Sequence, residues 1–284
     1  MRHVILYRGR EFEEEEYMAA RSAGFVCMNS RMYIDEGDLV IPRYSSLPFH
    51  KELEADVTIA GARLINSFAQ HQYVADMQNW YSDLERLTPE TWFRVSDVPF
   101  QKGGPFVLKG CTNSKKFLFD THMFCQNRAD LGTILGRLLD DGLIGQQSIY
   151  VREFEQFKTY KVGLHGLPVT AEFRFFILNS QVITGGYYWA SHIEELREMG
   201  ISEHELSAER VPTSFLEEII ARVGNKIPFF VVDVAQREDG RWRVVELNDG
   251  CMSGPSCIDP AILYKVMKGI LDVNLRGQGQ ESSD

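Results

Sequence analysis

The chain reads as an α+β protein, a small α/β unit followed by a larger domain in which strands run together and helices stand apart. Three observations carry that expectation. The first part of the sequence alternates short apolar runs with helical pattern, the arrangement of an α/β unit. Beyond Pro89 the apolar runs lengthen and helical pattern interrupts them only three times. Finally, two apolar runs, FFVVDVAQ and RWRVVELN, flank Glu238-Asp239-Gly240, and an Asp-Gly step between such runs is a hairpin signal.

The elements follow in order. Residues 3–7 form a buried strand, and residues 12–23 a helix stopped by Gly24, a residue type that tolerates the left-handed cap. Short apolar runs at 25–28, 39–41 and 63–65 continue the unit, and residues 68–84 form one helix that leads out of it, with Ser67 as N-cap. Thr88-Pro89 punctuates the chain, giving a first domain over residues 1–88. The second domain, residues 89–276, carries strands at 106–111, 116–124, 148–154, 171–178, 181–189, 229–236 and 241–248, with helices at 130–140, 213–223 and 261–275. Residues 277–284, GQGQESSD, are polar and expected to form a flexible tail.

Composition narrows the function classes. With 284 residues, 44% of them hydrophobic, the chain can bury a substantial core. A net charge of -10, with acidic residues bunched at Glu13 to Glu16, argues against the basic footprint that nucleic-acid binding requires. The five cysteines are scattered without a CxxC pair and suit a reducing compartment, where they read as buried small hydrophobes. No apolar run approaches the ~20 residues of a membrane span. The expectation is a soluble, cytoplasmic protein with no membrane partner.

The hairpin carries the strongest chemistry. Side chains two residues apart on a strand share a face, so Glu246 and Asn248 project together, and Asp233 reaches that face from the partner strand. Three oxygen ligands on a rigid platform suit a hard cation such as Mg²⁺. The plainer reading is a set of polar positions on a solvent-facing hairpin. Against it, an acid centred in FFVVDVA is costly to bury without a counter-cation.

The run D-V-x-x-x-x-D-G followed by V-V-E-L-N-D-G resembles the terminal signature of the ATP-grasp superfamily, familiar from D-alanine:D-alanine ligase and glutathione synthetase-like enzymes. The resemblance implies an ATP-grasp fold, two subdomains clasping ATP behind a pre-ATP-grasp domain. It also implies two Mg²⁺ ions held by Asp233, Glu246 and Asn248. Upstream, PFVLKG resembles the phosphate-lysine strand, which implies that Lys109 touches the α- and β-phosphates. The loop CTNSKK stands where the family has a Gly/Ser-rich flap, a departure in which Lys116 is either a phosphate clamp or merely solvated. IYVREF resembles the hinge strand, implying that backbone groups of Glu153 and Phe154 pair with adenine. AEFRFF matches an E-x-R-x-F pattern, giving Glu172 to the ribose and Arg174 to a phosphate or a substrate carboxylate. Arg152, Arg174 and Lys109 together are similar to the clade named for two arginines and one lysine. More distantly, the same motifs resemble the ATP-grasp cell-division-cycle assembly protein.

The resemblance spans about residues 60–256, GARLINS resembling the end of the pre-ATP-grasp domain. One departure is the following helix, AQHQYVADMQNWY, which lacks the family's central lysine. The implied activity is ATP-dependent carboxylate–amine or carboxylate–thiol ligation through an acylphosphate, with Lys109 neutralising phosphoryl charge and Arg152 or Arg174 orienting the carboxylate. Its partners would be a small-molecule carboxylate and an amine, or a peptide, and a homodimer is compatible. An ATP-binding assembly chaperone and an ATP-grasp phosphotransferase stay open as alternatives. Ser253 and Ser256, in the loop after the hairpin, are candidates for substrate contact or simply turn residues. Tyr187, Tyr188, Trp189 and His192 either line an acceptor pocket or belong to the core. The seven histidines form no pattern and read as structural or surface residues.

Overall fold

The computed structural model describes residues 1–9 and 14–278. The helix start expected at residue 12, and residues 279–284 of the expected tail, lie outside the described residues. Strand β1 (His3–Leu6), helix α1 (Glu14–Ser22), β2 (Val26–Met28), β3 (Leu39–Pro42), helix α2 (His50–Ile59) and β4 (Arg63–Leu64) build the front unit. Its sheet is parallel, in the order β2-β1-β3-β4. Every residue of β1 and β3 is buried, which is why both read as continuous apolar runs without alternation.

The single helix expected over 68–84 is two helices, α3 (Phe68–Ala75) and α4 (Met77–Leu84). Asp76 stands between them with extended backbone (φ -117°, ψ 116°). Its carboxylate accepts from the Gln78 amide at 3.0 Å and from the Tyr150 hydroxyl at 2.6 Å. An N-cap residue in mid-pattern thus restarts the helix. Ser67 caps α3 in a reciprocal box with Gln70, as expected.

Next come β5 (Thr91–Trp92), β6 (Phe106–Gly110), helix α5 (Phe119–His122), β7 (Phe124–Cys125), helix α6 (Leu131–Leu139) and β8 (Ile149–Glu153). Antiparallel pairings set the order β5-β8-β6-β7, and α6 packs Leu131, Ile134 and Leu138 against Leu108 and Val151. The strand expected over 116–124 is instead a 3₁₀ turn, Lys116–Leu118, followed by α5. Phe119 and Met123, four apart, are the buried side chains there, a helical spacing. A small hairpin of β9 (Thr159–Val162) and β10 (Pro168–Thr170) follows, unforeseen because β9 buries no residue.

The third sheet holds β11 (Glu172–Leu178), β12 (Gln181–Tyr187), β13 (Phe229–Gln236) and β14 (Trp242–Asp249) in the order β12-β11-β13-β14, antiparallel throughout. Short helices α7 (Ile193–Glu198) and α8 (Glu203–Leu206) and the longer α9 (Thr213–Val223) lie between β12 and β13. The β13–β14 turn places Gly240 at φ +84°, where a side chain would strain the backbone. Helix α10 (Pro260–Gln278) closes the chain, extending beyond the helix expected at 261–275.

Both faces of this sheet are covered. On one, Phe173, Val232 and Val234 pack with Trp80 and Leu84 of α4 and Ile219 of α9. On the other, Phe176, Phe229 and Val231 share a core with Ile5 and Ile41 of the front sheet and Leu263 and Met267 of α10. No helix among the described residues is long and apolar enough to cross a membrane. All five cysteines are free, Cys125 and Cys251 buried and the others half-buried.

Candidate active site

The third sheet brings the acidic residues together by register alone. Asp233 pairs with Arg174 of β11 on one side and with Glu246 of β14 on the other. The register then shifts between Asp233 and Val234, leaving Val245 as an extra residue beside Glu246. Asp233 is only 1% exposed and takes a fork from Arg174, Nε and Nη2 each donating to a carboxylate oxygen at 2.8 Å. Glu246 and Asn248 are half-buried on the same strand, and the Lys109 ammonium pairs with Glu246. Burial alone would raise the Glu246 carboxyl, but Lys109, Lys116 and a hydrogen bond from Asn248 hold it down to about 2. Two carboxylates and a carboxamide therefore stand where cations already gather.

Across the cleft, β6 and β8 supply the basic residues. Val107 pairs with Arg152 and Lys109 with Tyr150, so Lys109 and Arg152 leave the sheet on one face. Arg152 is buried, and burial lowers its guanidinium to about 10. It donates to the Val245 carbonyl and the Thr88 hydroxyl, both at 2.8 Å, while its Nε has no partner among the described residues. Lys116 comes from the 3₁₀ turn and donates to the Tyr188 hydroxyl at 2.7 Å. Despite its burial, the carboxylates of Glu172 and Glu246 and the Tyr188 oxygen keep its ammonium above the ordinary lysine range.

Between the two sheets lies a cleft of about 830 Å³, open solvent at its mouth included, a size suited to a drug-sized or nucleotide-sized ligand. Its apolar walls include Val107, Phe119, Met123, Phe154 and Trp189, and its polar rim includes Lys109, Lys116, Arg152, Glu172 and Glu246. Glu172 is 5% exposed, and its Oε1 has no partner among the described residues, while Oε2 receives a long bond of 3.3 Å from Thr170. Burial raises this carboxyl to about 7 against the opposing pull of Lys116. One orphaned acceptor and one orphaned donor, Glu172 Oε1 and Arg152 Nε, thus belong to residues of the same cleft. That donor set fits a ligand bearing hydroxyl and anionic groups.

The hinge narrows the expected backbone pairing. The main-chain N–H groups of Glu153 and Phe154 donate to the Glu90 and Pro105 carbonyls, at 2.8 and 3.0 Å, so neither can also pair with a base in this arrangement. The Glu153 side chain turns to Lys102, and Phe154 serves as an aromatic wall beside Phe124 and Phe119.

Several neighbours of the site left no trace in the sequence reading. Asp249, next to Asn248, accepts from Asn66 at 2.8 Å and the Cys251 amide at 2.8 Å, and bonds His71 at 3.0 Å. The His71 ring stacks on His50, 4.6 Å between centroids. These partners come from α2, α3 and the segment before α3, so the front unit grips the end of the hairpin. A second acid immediately after a candidate ligand was the available signal. Arg43, paired with Glu16 and Tyr264, donates to the Gly250 carbonyl and, at 2.9 Å, to that of Ser253, fastening the following loop. The Ser253 hydroxyl donates to the Asp249 carbonyl, which makes it a turn residue. Tyr187 is core, whereas Trp189 lines the cleft and Tyr188 meets Lys116.

The family model for the ATP-grasp domain, R2K clade family 3, matches residues 115–267, just over half of the chain. The chain belongs to this ATP-grasp family. Solved structures share the ATP-grasp fold over nearly the whole length. A RimK-domain ATP-grasp protein from Sphaerobacter thermophilus is 15% identical, with 94% of this chain and 100% of that one covered and a TM-score of 0.54. An L-amino acid ligase from Bacillus licheniformis is 11% identical, covers 95% of this chain and 74% of its own, and has a TM-score of 0.57. A macrocyclase bound with a precursor peptide, from Microcystis aeruginosa, is 10% identical over 95% and 99% of the two chains, TM-score 0.57. At such identities the likeness concerns the fold. Among curated proteins, no sequence matches the chain at a significant level.

Proposed function

We propose that this ATP-grasp protein is an ATP-dependent ligase that joins a carboxylate to an amine or thiol through an acylphosphate, with Mg-ATP bound between the second and third sheets. The observation that carries the reading is the facing of Glu246 by Lys109 and Lys116 in one cleft with apolar walls, Asp233 standing opposite Glu246 in the sheet and Asn248 two residues along its strand. The L-amino acid ligase among the structural neighbours supports the reaction class.

In this reading Asp233, Glu246 and Asn248 hold two magnesium ions, which supply charge neutralisation for the triphosphate. Lys109, released from Glu246, turns its ammonium to the α- and β-phosphates, and Lys116 covers them from the loop. Glu172 accepts from the ribose hydroxyls, using the oxygen that has no partner among the described residues. The base lies against Phe154 and Phe119, and with the Glu153 and Phe154 amides engaged its edge pairs with the next peptide group, at Glu155, which also lines the cleft.

Of the two arginines, Arg174 is our assignment for the substrate carboxylate: it is held by Asp233, which magnesium would claim, and by the Gly254 carbonyl of the loop after the hairpin, whereas Arg152 is held by the Val245 carbonyl and Thr88. A carboxylate oxygen attacks the γ-phosphorus as the bond to ADP breaks; the amine or thiol then adds to the acylphosphate carbonyl and expels phosphate. Arg174 orients the carboxylate and stabilises the oxyanion. We assign residues 1–88 to the pre-ATP-grasp domain and 89–276 to the ATP-grasp domain.

The test is incubation with Mg-ATP and pools of amino acids, other carboxylates and short peptides. Substrate-dependent release of ADP and phosphate is the expected result. AMP release would replace the acylphosphate with adenylation, and nucleotide binding without turnover across broad pools would favour an ATP-binding assembly module.

A further inference from the structure

Lys116 and Glu172 border the same cleft, and each would be an obvious partner for the other. Lys116 is cationic, Glu172 has an unpartnered buried oxygen, and yet among the described residues no ion pair joins them. Tyr188 occupies the ammonium instead. Its hydroxyl accepts from Lys116 Nζ at 2.7 Å, and the same ammonium lies 4.5 Å from the ring centroid. The Arg174 guanidinium carbon also sits over that ring, at 4.9 Å. Trp189 adds a second aromatic surface 5.3 Å from Lys116. Such contacts attract a cation through the ring's negative face.

The tyrosine is itself fixed. It follows directly on β12, and its amide donates to the Glu172 carbonyl at 2.9 Å, so ring and carboxylate are set by neighbouring positions of adjacent strands. Lys116, by contrast, comes from a three-residue 3₁₀ turn with no side-chain cap. A long side chain on so short an element keeps little orientation of its own.

We propose that Tyr188 is a positioning residue that keeps Lys116 away from Glu172, so that the ammonium stays free for phosphate and the carboxylate for the ribose. This rests on the nucleotide reading of the cleft. Without the hydroxyl, Lys116 swings onto the open oxygen of Glu172, and one substitution spoils both ends of the nucleotide site.

The experiment measures binding of Mg-ADP and of adenosine by calorimetry to the full chain, Tyr188→Phe, Lys116→Met and the double variant, with thermal melting to verify folding. Loss of a hydrogen bond to a charged group predicts about tenfold or greater weakening of Mg-ADP in Tyr188→Phe. Adenosine, which has no phosphate for Lys116 to touch, is also expected to weaken in Tyr188→Phe. It should recover when Lys116→Met is added, because the competing ammonium is gone. A merely structural tyrosine would give no such recovery. Unchanged adenosine affinity in Tyr188→Phe, or a loss that Lys116→Met does not rescue, overturns the proposal. Failure of the unaltered protein to bind Mg-ADP would instead overturn the nucleotide reading on which it rests.

Discussion

Glu172→Gln removes an ionisable group that burial has lifted from an ordinary 4.5 to about 7. At about 1.4 kcal/mol per pH unit, that rise corresponds to roughly 3 kcal/mol against the ionised form in the nucleotide-free protein. The sign follows from which state holds the proton. Between pH 4.5 and 7 the unfolded chain releases a proton that the folded chain keeps, so stability falls as pH rises through that window and stays lowered above it. The glutamine variant lacks this slope. It should match the unaltered protein near pH 4.5 and exceed it at pH 8 by up to about 3 kcal/mol, less the cost of an amide N–H without a partner. Nucleotide affinity should move the other way, since a hydroxyl bonded to a carboxylate is worth about 1.5–3 kcal/mol, or roughly 10- to 100-fold. Urea unfolding at a series of pH values, with calorimetry of Mg-ADP, reads both. Parallel pH profiles for the two proteins would refute the buried-carboxylate argument, and an undiminished ADP affinity would refute the ribose assignment.

Asp233→Ala is expected to lower stability by about 3–5 kcal/mol in denaturant, because it strands Arg174 without its bidentate partner, so Asp233→Asn is the better variant for binding work. Glu246→Gln should abolish the dependence of ADP affinity on magnesium, and titrations with and without EDTA would expose a wrong ligand assignment if the dependence survived. Thr88→Val removes the acceptor of one Arg152 amino group as well as the donor to Val244, and should lower the unfolding free energy by about 1–3 kcal/mol; a melting temperature equal to that of the parent would contradict this.

The β13–β14 hairpin was legible because its signals were local and mutually consistent. An Asp-Gly turn, two apolar flanks and period-two alternation put Asp233 and Glu246 within reach of one another on partner strands before any tertiary information was needed, and the structure pairs them directly. Helix α9 and strand β13 likewise carry their own punctuation, and both fall where the pattern put them. Local pattern failed where an element's partners lie far away. The sequence KFLFDTHMF alternates well enough for a strand, but Phe119 and Met123 are required on one side, and a turn of helix satisfies that. At Asp76 the helix breaks for a hydrogen bond to Tyr150, 74 residues distant. The engagement of the hinge N–H groups was illegible for the same reason, since their acceptors, Glu90 and Pro105, belong to flanking segments that nothing near residue 153 announces.

The third sheet shares its core with the front unit and α10, whereas the sheet bearing Lys109 and Arg152 is built mainly around a core of its own, with Tyr150 reaching into the core on the third sheet's other face. The clasp therefore has an anchored jaw that presents acids and a second jaw that presents bases, joined across the gap by Lys109–Glu246 and by Arg152 to the Val245 carbonyl. On the nucleotide reading, such an arrangement works as an electrostatic latch, in which each jaw imitates part of the ligand the other would take. Salt should then loosen the empty protein more than the loaded one, and small-angle scattering across an ionic-strength series, with and without Mg-ADP, would register the difference as a change in radius of gyration.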